Sequence, residues 1–261
     1  MLGAIIGDIA GSVYEFNNIK TTKFPFFTNT SKPTDDTVMT VAVSEGLLNG
    51  GTAEEYIKAM QKWGLLYPGA GYGGMFGRWL YSTDPQPYNS FGNGSAMRVS
   101  PVSWFYNTLE EVEQAARISS SVTHNHPEGI KGAQATAAAV FMARKGASKE
   151  DIRHYIVQKY GYDLSVTADK LRPKYKYDVS CQGSVPPALA LCFNASGYEQ
   201  AIRDIISIGG DSDTLAAIGG AAAEALYGIP ADISKRGLKL LDARLREQVK
   251  KFSAAVPDLN Y

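Results

Sequence analysis

Apolar residues along this chain recur three and four positions apart, the spacing that lines one face of a helix, and strict alternation is nowhere sustained. The pattern predicts helices over residues 3–15, 36–48, 52–63, 76–80, 109–121 and 128–144. Another opens at Ser148, and 186–193, 198–208, 214–227 and 234–252 complete the set. Local chemistry supports several ends. Thr34 and Asp35 introduce the second helix, and Asn49-Gly50-Gly51 closes it. Thr52 caps the third, with Glu54 and Glu55 suited to its positive end. Ser148 and Asp151 have the spacing of a capping box. Pro85 and Pro87 keep 82–94 irregular, and the Lys- and Tyr-rich stretch 169–178 reads as a surface connection. The composition also allows short β-rich pieces such as 23–28. Without strand pairs, repeats or a low-complexity linker, the expectation is one all-α domain over residues 1–261. Two helical stretches, 133–143 and 215–225, are mostly Ala and Gly, small faces that suit central helices in close contact.

Composition narrows the class. At 261 residues and 44% hydrophobic, the chain needs no disulfide or metal staple merely to fold. Its 26 basic and 26 acidic residues cancel, so it lacks the basic excess of a protein that grips nucleic acid by charge. Cys181 and Cys192 are too few for a disulfide framework and read as reduced, buried thiols. The opening run MLGAIIGDIAGSV has no positive flank and is interrupted by Asp8, unlike a signal peptide. No stretch approaches the roughly 20 apolar residues of a membrane span. A soluble, cytoplasmic, monomeric protein is expected.

Candidate chemistry gathers at helix starts. Thr34-Asp35-Asp36-Thr37 and Gly209-Gly210-Asp211-Ser212-Asp213-Thr214 each carry two carboxylates and a threonine. One cap residue satisfies a helix start, so both clusters exceed what capping needs. Hard oxygen donors without thiol or imidazole suit Mg²⁺, Mn²⁺ or Ca²⁺. The clusters are either elaborate caps or one metal site whose halves meet in space. Asp8 and Glu15, seven apart, would share a face of the first helix on either side of Gly11. They face a polar cleft, or Glu15 is the solvated helix end. Ser90-Phe91-Gly92-Asn93-Gly94 is a glycine loop ahead of a helix, either a plain turn or a phosphate cradle on which Phe91 could stack a base. His124-Asn125-His126 has zinc-like spacing but no third ligand nearby, so hydrogen-bonding roles at a helix entrance fit better.

In order, these elements resemble the ADP-ribosylglycohydrolase family, which includes hydrolases that remove ADP-ribose from arginine or serine and the enzyme that reactivates dinitrogenase reductase. The matching stretches are Gly3-Ala4-Ile5-Ile6-Gly7-Asp8 with Gly11 and Glu15, Thr34 to Thr37, Gly92-Asn93-Gly94 with Met97-Arg98 and Pro101, Thr123-His124 with His126-Pro127, and Gly209 to Thr214. The resemblance implies a compact, orthogonal all-α fold with a cleft holding two Mg²⁺ ions, Mn²⁺ being a substitute. It places metal ligands at Thr34, Asp35, Asp36, Asp211, Asp213 and Thr214. Glu15 would act as acid, base or gate; Ser90, Phe91, Gly92 and Asn93 would contact the diphosphate and adenosine, and His124 the distal part of the ligand. Tyr72-Gly73-Gly74-Met75 matches a substrate-lining segment only loosely. The implied activity is Mg²⁺-dependent hydrolysis of the glycosidic bond between ADP-ribose and a protein side chain or small acceptor. Nucleic acid would be met only as a modified substrate. Two alternatives carry different expectations. A non-catalytic ADP-ribose binder or immunity protein of the same fold would not need the full acidic set. A glycosyltransferase using Asp211-Ser212-Asp213 would need an α/β nucleotide-binding pattern, which is lacking.

Overall fold

A computed structural model describes residues 1–259, and the last two positions of the expected 1–261 domain lie outside the described residues. The helices in chain order are α1 Leu2–Gly11, α2 Asp35–Leu48, α3 Ala53–Leu66, α4 Gly74–Leu80, α5 Gly94–Met97, α6 Ser100–Phe105, α7 Leu109–Ser121, α8 Pro127–Arg144, α9 Lys149–Tyr160, α10 Ala168–Leu171, α11 Cys181–Asn194, α12 Tyr198–Ser207, α13 Ser212–Tyr227, α14 Ala231–Leu240 and α15 Ala243–Ala255. Among the described residues there is no strand, 23–28 included; one isolated antiparallel bridge joins Gly92 to Ser180. No described helix is long and apolar enough to cross a membrane. Both cysteines are buried and free.

Caps explain most of the helix starts. Thr34, Thr52, Thr108, Ser148 and Ser180 each accept a backbone N–H two or three residues on, an arrangement that typically contributes about 1 kcal/mol. Helices α5, α6 and α10 lie outside the helical ranges expected, α10 at the start of the expected surface connection, and three further departures have a visible cause. The first helix stops at Gly11 rather than Glu15: the Ser12 hydroxyl donates to the Ile9 carbonyl at 3.0 Å, and the Tyr14 N–H turns back to the Gly11 carbonyl at 2.8 Å. The helix expected at 186–193 starts five residues earlier, with Pro186 and Pro187 inside it. Pro187 has no N–H for the Gly183 carbonyl, which instead accepts the Tyr175 hydroxyl at 2.9 Å. The helix expected at 234–252 is two, because the Asp242 carboxylate takes the Arg244 and Leu245 N–H groups at 2.9 and 3.0 Å and starts a new helix there.

The centre of the molecule is a contact between two backbones. Every residue of α1 is buried, and Gly3, Gly7 and Gly11 form a stripe four residues apart that lies on α13. A Cβ there would come within 2.3 Å of the Gly220 carbonyl oxygen, 2.0 Å of that of Ala216 and 2.5 Å of the Asp213 Cα, respectively. Only a residue without Cβ fits. Side chains anchor the same pair: Glu224 of α13 accepts the Gly3 N–H at 2.9 Å, and Tyr198 donates to the Gly3 carbonyl at 2.7 Å. The Ala-rich α8 packs on α13 from another direction. This contact delivers Asp8, near the end of α1, to the start of α13.

Candidate metal and active site

Asp8 is fully buried and bonded to the N-terminus of α2. Its Oδ2 accepts the Thr34 and Thr37 N–H groups, each at 3.0 Å, and the Thr37 hydroxyl; its Oδ1 accepts the Thr34 hydroxyl at 2.7 Å. It thus serves donors left over at a helix start, where the dipole also favours negative charge. The two sequence clusters meet beside it. The Thr214 hydroxyl donates to Asp36 Oδ2 at 3.2 Å, across 178 residues of chain. Carboxylate oxygens of Asp8, Asp36 and Asp213 lie within 4.8 Å of one another, as do those of Glu15, Asp211 and Asp213. Asp213 belongs to both trios, so the two groups adjoin.

Burial, then mutual repulsion, pushes these carboxyls toward their neutral forms. Asp8 is raised to about 6 by burial, against the pull of its Thr37 and Thr34 donors. Asp35 is raised to about 7 by burial and by the charges of Asp8, Asp211 and Glu15. Asp36 and Asp213 stand well above the usual carboxylate range, chiefly through burial and then through neighbouring acids. Asp211 and Glu15 are raised as well, again mainly by burial. Asp36 Oδ1 is sealed from solvent without a hydrogen-bond partner. A buried carboxylate oxygen left unpaired among other acids is costly unless a cation or proton meets it. The donor set therefore fits a hard divalent cation, and the clusters can hold one.

The remaining sequence-selected residues surround this group. Thr34 and Thr214 are buried, and Asp35 lies on the first turn of α2 but in neither trio. The Asp35 N–H donates to the Ala70 carbonyl at 3.0 Å, which places the glycine-rich 67–74 stretch beside it. Asn93 links the glycine loop to the acids: its Nδ2 donates to Asp211 Oδ2 at 2.7 Å and to the Ser184 hydroxyl at 3.0 Å. The loop is pinned to the segment before α11, with the Asn93 N–H on the Val179 carbonyl at 2.7 Å and the Cys181 N–H on that of Phe91 at 2.9 Å. Ser90 accepts the Gly92 N–H at 3.1 Å, and Phe91 is half exposed, its ring 5.4 Å from that of His126. His126 caps α8 through the Glu128 N–H at 3.1 Å, and His124 is buried with Nδ1 on the Thr123 hydroxyl at 2.7 Å.

Glu15 lies past the end of α1, so it does not share a helical face with Asp8 as expected; the turn after Gly11 brings it to the acids instead. Its Oε1 accepts the Tyr177 hydroxyl at 2.8 Å. Tyr177 belongs to the stretch read as a surface connection and carries no periodic or capping signal that would have marked it. Asp8 is not among the ligands the resemblance implies, and its place in a trio is the structure's addition.

Helices that bring acids from two helix starts into one buried group, flanked by a glycine loop, define an all-helical protein with a candidate metal centre. The chain belongs to the ADP-ribosylglycohydrolase family, whose sequence profile matches residues 1–259. It is 26% identical to the mouse ADP-ribosylhydrolase ARH3 over 88% of this chain and 83% of that protein. It is also 26% identical to the ADP-ribosylarginine hydrolase Tri1 of Pseudomonas putida, over 88% of this chain and 70% of that protein. Its fold is shared with a solved structure described as an ADP-ribosylglycohydrolase-related protein complex, at a TM-score of 0.69 and 23% identity, covering 97% of this chain and 95% of that one.

Proposed function

We propose that this protein is a Mg²⁺-dependent hydrolase that cleaves the glycosidic bond between ADP-ribose and an acceptor, either a protein side chain or a small molecule. The observation that carries the reading is the pair of carboxylate trios sharing Asp213; family membership supports the reaction class. Asp36, Asp211 and Asp213, with Thr34, Asp35 and Thr214, would hold two Mg²⁺ ions, and Asp8 would orient Thr34 beside them. A bound divalent cation supplies Lewis-acid polarisation of substrate oxygens.

The chain's own residues do the rest. Ser90, Phe91, Gly92 and Asn93 would receive the diphosphate and adenosine, on a loop held rigid by Val179 and Cys181. Asn93 couples that loop to Asp211, so ligand seating and carboxylate placement are one arrangement. Glu15 is half-buried, with a raised affinity for protons, at hydrogen-bond distance from Tyr177. In this reading it accepts a proton from water as the water oxygen bonds to the anomeric carbon of the distal ribose. The bond from that carbon to the acceptor breaks, its electron pair leaves with the acceptor atom, and that atom takes up a proton.

The test is release of free ADP-ribose from modified arginine, serine and acetyl-ester substrates, with and without EDTA. Metal-dependent release that fails in an Asp211→Ala/Asp213→Ala protein is the expected result. Metal-independent release, or unimpaired activity of that variant, overturns the mechanism. Mg²⁺-dependent ADP-ribose binding without turnover on any linkage would make the protein a reader of the modification instead.

A further inference from the structure

Arg98 is the largest fully buried side chain of the molecule, and no carboxylate is paired with it among the described residues. Its Nη2 donates to the Thr123 hydroxyl oxygen at 2.7 Å, and its Nε has no partner. The guanidinium lies 5.5 Å from the Phe76 ring centre. A buried, unneutralised arginine that makes one side-chain hydrogen bond is an expensive way to hold a threonine in place. Its consequence is one residue further on.

Thr123 is itself fully buried, and its oxygen lies 2.7 Å from His124 Nδ1. Arginine can only donate, so the Thr123 oxygen accepts from Arg98, and the single threonine proton must go elsewhere. Among the described residues, the acceptor within hydrogen-bond reach of it is His124 Nδ1. Were Nδ1 protonated, the threonine would accept twice, and its own buried proton would have no acceptor. Were both ring nitrogens protonated, an imidazolium would also face Arg98. The facing groups all point the same way: Arg98 is a cation, and Tyr88, whose ring centre is 6.1 Å away, offers no negative charge. The proton of a neutral His124 therefore sits on Nε2. That atom has no hydrogen-bond partner among the described residues, and it faces the backbone of the glycine loop: a Cβ at Gly94 would lie 3.2 Å from it, and one at Gly92 3.5 Å.

We propose that Arg98 is a positioning residue which, through the Thr123 hydroxyl, fixes His124 as its neutral Nε2–H tautomer and so presents a single N–H donor beside the Ser90–Asn93 loop. This rests on the reading that ADP-ribose is seated at that loop. The donor is directed at an acceptor oxygen of the ligand, a ribose hydroxyl or diphosphate oxygen, and not at a metal, since a metal-binding nitrogen carries no proton. The same arrangement explains why His124-Asn125-His126 has zinc-like spacing without a zinc site: one ring is a relay terminus and the other a helix cap.

The test uses the isotope-labelled full chain. Proton–nitrogen correlation spectra of the imidazole rings separate a protonated from an unprotonated nitrogen, and the signals of His124 are assigned by their loss in His124→Gln. In the wild type, His124 should show a protonated Nε2 and an unprotonated Nδ1, unchanged between about pH 5 and 8. Thr123→Val should let the other tautomer appear and weaken ADP-ribose binding about tenfold. Thr123→Ser, which keeps the hydroxyl, should restore both properties, as a purely volumetric role for Thr123 would not. A wild-type His124 protonated at Nδ1 or at both nitrogens overturns the inference, as does an unchanged tautomer or an unchanged ADP-ribose affinity in Thr123→Val. If the tautomer behaves as stated but the wild type does not bind ADP-ribose, the functional reading fails, and the role given to the Nε2–H fails with it.

Discussion

Asp8 and Asp36 occupy one carboxylate trio and are held by opposite means. Asp8 accepts from Thr34 and Thr37 through both backbone and side chain, while Asp36 Oδ1 accepts from nothing. Removing charge at the two positions should therefore move stability in opposite directions. Asp8→Asn turns an amide group toward donors and should destabilise the metal-free protein by about 2–3 kcal/mol in urea unfolding. Asp36→Asn removes a repelling charge, so it should raise the metal-free melting temperature while weakening the Mg²⁺ response. Asp35 adds a pH dependence. Its folded value of about 7 stands above the 3.8 of an ordinary aspartate. Between those values the folded protein holds a proton that the unfolded chain has released, so stability falls as pH rises and the loss is complete above about 7. Without metal, Asp35→Asn should match the wild type near pH 4 and exceed it at pH 8 by a few kcal/mol, each pKa unit being about 1.4 kcal/mol. Equal curves at both ends would remove the repulsion argument. The clusters at 34–37 and 211–214 were legible because their acids outnumber what a cap requires. Tyr177 was not, because its bond to Glu15 spans 162 residues and its Lys- and Tyr-rich surroundings have the composition of a solvated connection.

The starts of α3, α7 and α9 were legible for a related reason: each hydroxyl cap and the N–H group it serves are within three residues of one another. Where prolines sit inside a helix, local reading fails. Pro186 and Pro187 resemble a helix start, yet Ser180 caps the helix before Cys181, and Tyr175 occupies the Gly183 carbonyl that Pro187 leaves free. The glycine stripe of α1 is likewise legible as composition but not as contact, since nothing in residues 3–11 says that Ala216 and Gly220 lie opposite. Gly7→Ala forces two backbones apart and should cost at least about 3 kcal/mol. It should also reduce the Mg²⁺-induced rise in melting temperature, because Asp8 and Asp213 move with the helices that carry them. The control is Gly77→Ala on α4, where a Cβ meets nothing within 4 Å; helix propensity alone should make it neutral or stabilising by up to about 1 kcal/mol. Equal effects of the two substitutions would show that the α1–α13 contact is not tight.

For the molecule as a whole, acids gathered from α1, α2 and α13 into one buried group oppose folding, and a bound cation would offset that opposition. A cation that binds only the native arrangement should stabilise it by about 2.7 kcal/mol at 100 times its dissociation constant. Mg²⁺ or Mn²⁺ should therefore raise the melting temperature in calorimetry, and EDTA should reverse the rise. No shift up to millimolar metal would mean that the acids share protons instead. The all-helical architecture was legible because helical periodicity runs through nearly every segment. The arrangement of the helices was legible only through the family resemblance, since periodicity says which face is buried and not what covers it.

The hydrogen bond from Thr214 to Asp36, spanning 178 residues, has a consequence for the order of events during synthesis. A ribosome completes α1 and α2 long before α13 exists, and every residue of α1, Asp8 included, is buried in the folded protein. Until α13 emerges, the stripe of Gly3, Gly7 and Gly11 lacks the backbone it lies on in the folded protein. The nascent chain thus carries a largely apolar helix whose cover is made only near the end of synthesis. A cation could not rescue it at that stage, because Asp211, Asp213 and Thr214, half of the proposed ligands, have not yet been translated.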